Sequence, residues 1–224
     1  MALADYQQLV NDLVRDQAEV IDAPARDRAI TSAVLQFGAE VPRQLTADVM
    51  WPADGYTGVP PAGWQEGMRV LSAQYPRGTP RAVGAIRTPD GWALQSVESL
   101  PNGALVALTY TGPHELTDTE DTIGIVHRTP VAMLAASLLC QQLATHYSSQ
   151  RETAMGADVS QTETRAREFA ARAREYRSAY YVGTGQADPF KAASGQGAGS
   201  GVASAAATGG WPARQRLGLA REWP

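Results

Sequence analysis

The distribution of proline constrains this chain more than any other sequence feature. Nine of its 14 prolines lie between residues 41 and 116. Proline lacks a backbone N–H and clashes with the preceding helical turn, so no long helix can form there. Prolines are sparse on either side of this segment, and apolar residues recur there at helical spacing. The pattern predicts an α+β protein, in which a small antiparallel β domain is inserted into a four-helix bundle core.

Residues 1–40 are predicted to form a helical hairpin. The first helix is expected over residues 5–20, with Asp5 as its N-cap. The second is expected to start at Asp22-Ala23-Pro24 and to end at Gly38. The apolar faces comprise Tyr6, Leu9, Val10, Leu13 and Val14 in the first helix, and Ile30, Ala33, Val34 and Phe37 in the second.

Residues 41–116 carry short runs of strand-forming residues rather than helical patterns. The runs are Met68 to Tyr75, Ala82 to Arg87, Trp92 to Val97 and Ala104 to Thr111. Turn sequences at residues 89–91 (Pro-Asp-Gly) and 101–103 (Pro-Asn-Gly) separate the last three runs. This spacing predicts that these three strands form an antiparallel meander.

Residues 117–183 are predicted to supply the remaining two helices of the core. Thr129-Pro130 marks the start of a helix over 130–148 that is apolar on most faces, including Leu138 and Leu139. Such a helix lies at the centre of a bundle or at a subunit interface. A last helix is expected over 160–182, closed by Gly183, and its arginines lie mostly off its apolar stripe.

Residues 184–224 are rich in Gly, Ala and Ser and have no periodic apolar face before Trp211. A segment of this kind does not bury enough apolar surface to offset its ordering entropy, so it is predicted to be flexible or extended in isolation. It carries Trp211 and Trp223 with arginines between them. Tryptophan and arginine are typical anchors at protein interfaces, so this tail is predicted to dock on a partner.

The charge pattern favours self-association over binding of nucleic acid. The formal net charge is −4, whereas phosphate binding needs clustered cations. Residues 1–150 hold nine basic and 16 acidic residues, and residues 151–224 hold ten basic and seven acidic. This split of charge suits self-association or docking on an oppositely charged partner. The N-terminal sequence has no signal-peptide pattern and no apolar run is long enough to cross a membrane, so a soluble protein made in a cytoplasm is expected.

No residue pattern indicates catalysis, a metal or a cofactor. The three histidines are far apart in sequence, and Cys140 lies among leucines, where it is predicted to be a core residue. Four acids at residues 115–121 precede a helix and are interpreted as a solvated loop that complements its dipole. The chain is therefore predicted not to be an enzyme.

A set of sequence features between Tyr110 and Tyr181 resembles a family of head-to-tail connector proteins of tailed bacteriophages. It comprises Tyr110-Thr111 followed by His114, Asp121-Thr122-Ile123, the small-residue and leucine run from Met133 to Cys140 with Leu143-Ala144 and Tyr147, Ala157 to Ser160, Ala173 to Arg177, and Tyr180. The stretch from Leu45 to Trp64 is similar too, and the tail after Gly185 departs from the pattern.

The resemblance implies a structural virion protein of the neck, assembled in the host cytoplasm. It implies an adaptor ring, with the portal's twelve-fold symmetry, that joins the portal to a tail or neck protein and encloses a channel for genomic DNA without reading its sequence. The predicted subunit interface comprises Arg165, Arg172, Arg177, Leu138 and Leu139, with the arginines meeting acids of the neighbour's N-terminal half. The predicted portal-docking residues are Trp211, Arg214, Arg216 and Trp223.

Three alternatives remain open at this point. The first is a head-completion stopper or a tail-terminator ring, since tail-side rings are often rich in β-structure. The second is a small hydrolase that uses the acidic loop before His127. The third is a DNA-binding packaging subunit, which the net charge disfavours.

Overall fold

A computed structural model of the chain describes residues 3–16, 19–150 and 159–192. It divides the chain into one unit ending at Asp188 and a second beginning at Pro189. The described part has five helices and two antiparallel sheets, which confirms the α+β class. The helices are α1 Leu3–Val14, α2 Ala23–Glu40, α3 Ile125–Gln150, α4 Val159–Thr184 and, in the second unit, α5 Pro189–Ala192. The strands are β1 Arg43–Met50, β2 Thr57–Gly58, β3 Val70–Gln74, β4 Pro80–Arg81, β5 Val83–Thr88, β6 Gly91–Ser96 and β7 Leu105–Gly112.

The helical hairpin forms as predicted, with corrected ends. Helix α1 begins at Leu3, so Asp5 lies in its first turn and is not its N-cap. The helix ends at Val14 rather than residue 20, because Arg15 takes a left-handed φ of +50° and its N–H bonds the carbonyl of Asn11 at 3.0 Å. Asp22 caps α2, since its carboxylate accepts a hydrogen bond from the N–H of Ala25 at 2.7 Å.

Gly38 does not end helix α2, which continues to Glu40. The predicted apolar face of this helix is buried as expected. It joins buried residues of α1, α3 and α4 in one apolar cluster, called here the helix core, which includes Tyr6, Val10, Ile30, Phe37, Leu139, Leu143 and Tyr180. Polar contacts fix these helices at their edges: the hydroxyls of Tyr180, Tyr176 and Ser137 donate to the Glu40 carboxylate (2.5 Å), the Leu13 carbonyl (2.9 Å) and the Ala173 carbonyl (2.7 Å).

The predicted start of α3 and the predicted end of α4 both need correction. Helix α3 begins at Ile125, so Thr129 is not its N-cap and Pro130 lies inside the helix. Helix α4 passes through Gly183, and Gly185 ends it, with a φ of +71°. The N–H of Gly185 bonds the Val182 carbonyl and the N–H of Gln186 bonds the Tyr181 carbonyl, which is the Schellman arrangement.

Gly183 has a packing role instead. A Cβ at this position would lie 2.5 Å from Cγ of Pro130, closer than real side-chain contacts allow. The absent side chain therefore lets the end of α4 lie directly against the Pro130 ring near the start of α3.

The segment between the helices, called here the β region, contains two antiparallel sheets. Their strand orders are β1-β7-β3-β4 and β2-β6-β5. The predicted strands correspond to β3, β5, β6 and β7, while β1 was not predicted. Strand β1 pairs with β7 along its whole length, from Arg43 opposite Gly112 to Met50 opposite Leu105. A second apolar cluster, with Trp51, Leu94, Val106 and Leu108 among its buried residues, forms the core of the region.

The predicted meander is wrong in its second half. Strands β5 and β6 form the expected hairpin, from Thr88 opposite Gly91 onward. Strand β7 does not pair with β6 and lies between β1 and β3 in the other sheet. The turn at residues 101–103 leads into bonds with the end of β1: Trp51 donates to the Ala104 carbonyl at 2.8 Å and accepts from the N–H of Gly103 at 2.9 Å. These bonds hold the start of β7 beside the end of β1.

The predicted segment boundaries at residues 40, 116 and 183 stay predictions. The helix core and the β region belong to the same compact unit. Most of the predicted tail, from residue 193 onward, lies outside the described residues.

Candidate functional site

Two of the predicted interface arginines cover aromatic rings of their own chain. The guanidinium of Arg165 lies 5.9 Å from the ring centre of Tyr147, and that of Arg172 lies 5.5 Å from that of Phe169. The two rings stack at 5.7 Å where α3 meets α4. These cation–π contacts orient the guanidinium groups beside the α3–α4 contact. Arg177 is half-buried, and contact of all three with a neighbouring subunit stays a prediction.

The two predicted interface leucines differ in exposure. Leu139 is 1% exposed and packs in the helix core, so in the single chain it offers no surface to a neighbour. Leu138 is half-buried and packs against the same core. The apolar character of α3 is thus explained largely by burial between α1, α2 and α4.

The outward face of α4 carries a stripe that sequence reasoning did not identify. It comprises Arg167, Ala171, Arg174, Ser178 and Val182, called here the α4 stripe. The members follow the four-, three-, four- and four-residue steps of one helix face. All except the half-buried Ser178 are exposed. The spacing is visible in the sequence, but the stripe mixes arginines with small residues and so has no apolar periodicity.

Large aliphatic side chains are exposed at the end of the helix core where α3 starts and α4 ends. Ile125, Val126 and Val182 are 80%, 75% and 77% exposed. The Pro130–Gly183 contact places these two helix ends side by side. Exposed aliphatic side chains at adjoining helix ends are a feature of protein interaction surfaces.

A crease runs along the exposed side of α2, between this helix, the end of β7 with the loop that follows it, and the segment just before β3. It consists of two grooves of about 210 Å³ and about 270 Å³, which share Val34, Leu35 and His114. Leu35 is 65% exposed between them. The charged lining residues are Asp27, Glu66 and Glu115, and the lining contains no Arg or Lys. This α2 crease is apolar at its centre and acidic at its margins.

The acidic loop differs from its prediction at one residue. Asp121 is not solvated: its side chain is 4% exposed and lies 2.9 Å from Nε of Arg128 in an ion pair. Its other carboxylate oxygen accepts the N–H of Ile123 at 3.0 Å. Glu115, Asp118 and Glu120 are exposed as predicted. Of the four acids, only Glu115 lines the adjacent groove, so the carboxylates do not converge there.

The histidines make structural contacts. His114 donates from Nε2 to the carbonyl of Val41 at 2.9 Å, and its Nδ1 lies 3.3 Å from the Thr122 hydroxyl. The rings of His114 and His127 lie 4.9 Å and 5.2 Å from the ring of Phe37. His114 thereby connects the end of α2 to the acidic loop. Within residues 3–16, 19–150 and 159–192, no three His, Cys, Asp or Glu residues are grouped as metal ligands.

Cys140 is fully buried in the helix core, as predicted. Burial raises the pKa of its thiol to about 11, and the nearby Arg172 opposes this shift. Burial also raises the pKa values of Tyr6 and Tyr180; the carboxylates Asp121 and Glu40, respectively, add to the effect. At neutral pH the thiol is therefore protonated and weakly nucleophilic.

The predicted portal-docking residues Trp211, Arg214, Arg216 and Trp223 lie outside the described residues. No helix in the described part is long and apolar enough to cross a membrane. No protein-family profile matches this sequence, and no curated protein matches it. The features that bear on its function are therefore the surfaces described above and the resemblance between Tyr110 and Tyr181.

Proposed function

We propose that this chain is a non-enzymatic head-to-tail adaptor of a tailed bacteriophage, which forms a ring under the portal and joins it to the tail. The resemblance supplies the identity of the partners. The exposed aliphatic surface at the end of the α3–α4 pair is the observation that carries the proposal. In a chain with two well-buried apolar clusters, three aliphatic side chains at 75–80% exposure indicate a surface covered by a partner.

The distribution of charge supports a ring in particular. The α4 stripe carries arginines, and α4 as a whole has five arginines and three glutamates. The α2 crease carries acids alone among its charged lining residues. A closed ring needs two different, complementary faces on each subunit, and this chain has a basic and an acidic one.

The finer architecture belongs to the same proposal. Helices α1 to α4 act as a four-helix bundle that forms the body of the ring, with the β region inserted between α2 and α3 as a separate module. The channel inside the ring passes DNA without sequence-specific contacts. Residues 189–224 serve as the tether that docks on the portal through Trp211, Arg214, Arg216 and Trp223. The mature location is the neck of the virion.

A truncation tests the tether. Removal of residues 189–224 keeps the α4 cap formed by Gly185 and Gln186, so the fold should be preserved by circular dichroism and thermal melting. Co-sedimentation with purified portal should be lost. A matched full-length variant, Trp211→Ala/Trp223→Ala, should also lose portal binding. Its melting temperature should equal that of the unaltered chain. Equal portal binding by truncated and full-length chains would contradict the tether.

A second candidate function is favoured by the β region. This region has its own apolar core around Trp51 and makes up a large part of the described chain. A head-completion stopper or tail-terminator ring is the alternative that such a region favours. Electron microscopy of the neck distinguishes the two, because an adaptor contacts the portal directly and the alternatives lie one ring or more away from it.

A further inference from the structure

We infer that the α2 crease of one copy receives the α4 stripe and the exposed aliphatic end of α3–α4 from the next copy. The inference rests on the proposed ring and specifies its subunit interface. It also differs from the sequence prediction, which placed Arg165, Arg172 and Arg177 at this contact. Two of those side chains cover aromatic rings of their own chain, whereas Arg167 and Arg174 are exposed members of the α4 stripe.

Charge and polarity are complementary between the two surfaces. The crease offers an apolar centre at Val34 and Leu35 with acidic margins. The stripe offers an apolar end at Val182 and two arginines along the same helix face. Opposite charges around an apolar contact fix the register of an interface and speed its formation.

The existing ion pairs leave the crease acids available. Glu66 lies 3.6 Å from Arg87, and both side chains are mostly exposed, so their attraction is weak. Glu115 forms no ion pair within the described part of the chain. Asp27 is paired with Arg26 at 3.3 Å, and it keeps the groove acidic without being the main docking residue.

The test uses charge reversal at both surfaces in the full chain. One variant carries Arg167→Glu/Arg174→Glu, and the other carries Glu66→Arg/Glu115→Arg. All four positions are exposed, so melting temperatures should stay close to that of the unaltered chain. Like charges then face each other in either variant alone, and the concentration for half-maximal assembly should rise more than about tenfold. A control for the second variant, Asp12→Arg/Asp90→Arg, makes the same change in charge at exposed positions that belong to neither surface, and it should assemble normally.

An equimolar mixture of the two variants gives the decisive result. Every contact in an alternating ring would again join opposite charges, so assembly should return to within about threefold of the unaltered chain by light scattering. Failure of the mixture to assemble, with an unaltered chain that does assemble, overturns the proposed interface and leaves the adaptor function intact. An unaltered chain that stays monomeric at every concentration overturns both.

Discussion

The helix core and the β region bury apolar residues in different ways. The helix core collects side chains from two helices that precede the β region and two that follow it. The β region has a smaller cluster, and its largest buried side chain is the fully buried Trp51. Gly58 lies so close to this indole that a Cβ there would be 2.6 Å from the ring. Burial is therefore distributed in one region and concentrated in the other.

This difference teaches where each region is vulnerable. Loss of one side chain from the helix core also costs stability, but most of its other buried residues stay in contact with one another. Concentrated burial depends on one residue and on the glycine that makes room for it. The β region is thus expected to open without the helix core, although both belong to one compact unit.

The largest expected effect is that of Trp51→Ala, which should destabilise the β region by about 3–5 kcal/mol because it removes the largest side chain of that core. Hydrogen exchange should accelerate in β1 and β7 and stay slow in α2 and α3. Trp92→Ala is the matched control, since Trp92 is only half-buried under Arg87, and its effect should be small. Equal acceleration in the helices would mean that the two regions unfold as one.

The next effect is expected from the ion pair between Asp121 of the acidic loop and Arg128 of α3. Asp121→Ala should lower the free energy of unfolding by about 3 kcal/mol, because it leaves the largely buried Arg128 without its partner. Asp118→Ala, at an exposed position of the same loop, should change it little. In urea denaturation, the double variant Asp121→Ala/Arg128→Ala should lower the free energy of unfolding by less than the sum of the decreases caused by Asp121→Ala and Arg128→Ala alone. Additive losses would show that the pair is not coupled.

A pH titration reports on the helix core alone. The pKa of Cys140 is raised to about 11 in the folded chain, so the folded state holds this proton more tightly than the unfolded state does. Its contribution of up to about 2 kcal/mol is complete below pH 9 and is lost as the pH rises toward about 11. The difference in unfolding free energy between the unaltered chain and Cys140→Ala should narrow over this range. A constant difference would contradict the burial of the thiol.

The smallest expected effect is a gain in stability. Arg15 holds a left-handed φ at the end of α1, and Arg15→Gly should raise the free energy of unfolding by about 1 kcal/mol because glycine adopts this conformation without strain. Arg28→Gly, at an exposed position inside α2, should lower it by about the same amount. Thermal melting of both variants measures the contrast.

The helical half of the fold was the more predictable from the sequence. The faces of α1 and α2 and the Asp22 cap depend on contacts within a few residues, and these were identified. The ends at Arg15 and Gly185 were missed, because a left-handed arginine has no sequence signal and Gly183 lay nearer the end of the apolar stripe. Strand β1 was missed although its sequence carries a signal, since Leu45, Ala47 and Val49 alternate with polar residues in the pattern of a half-buried strand.

The candidate surfaces were predictable only in part. The arginines of α4 were recognised, but their division into ring-covering and outward-facing sets depends on the positions of Tyr147 and Phe169 in three dimensions. The α2 crease joins α2 to residues from the ends of β7 and β3, which are distant in sequence, so no local pattern indicates it. The position of β7 was likewise determined by a long-range bond to Trp51.

Native mass spectrometry of the purified full chain, across a range of protein concentrations, tests the central claim most directly. Two different complementary faces on each subunit predict a single closed assembly of defined copy number, in equilibrium with monomer at low concentration. A chain that stays monomeric throughout, or that forms a continuous series of sizes without closure, would contradict the account.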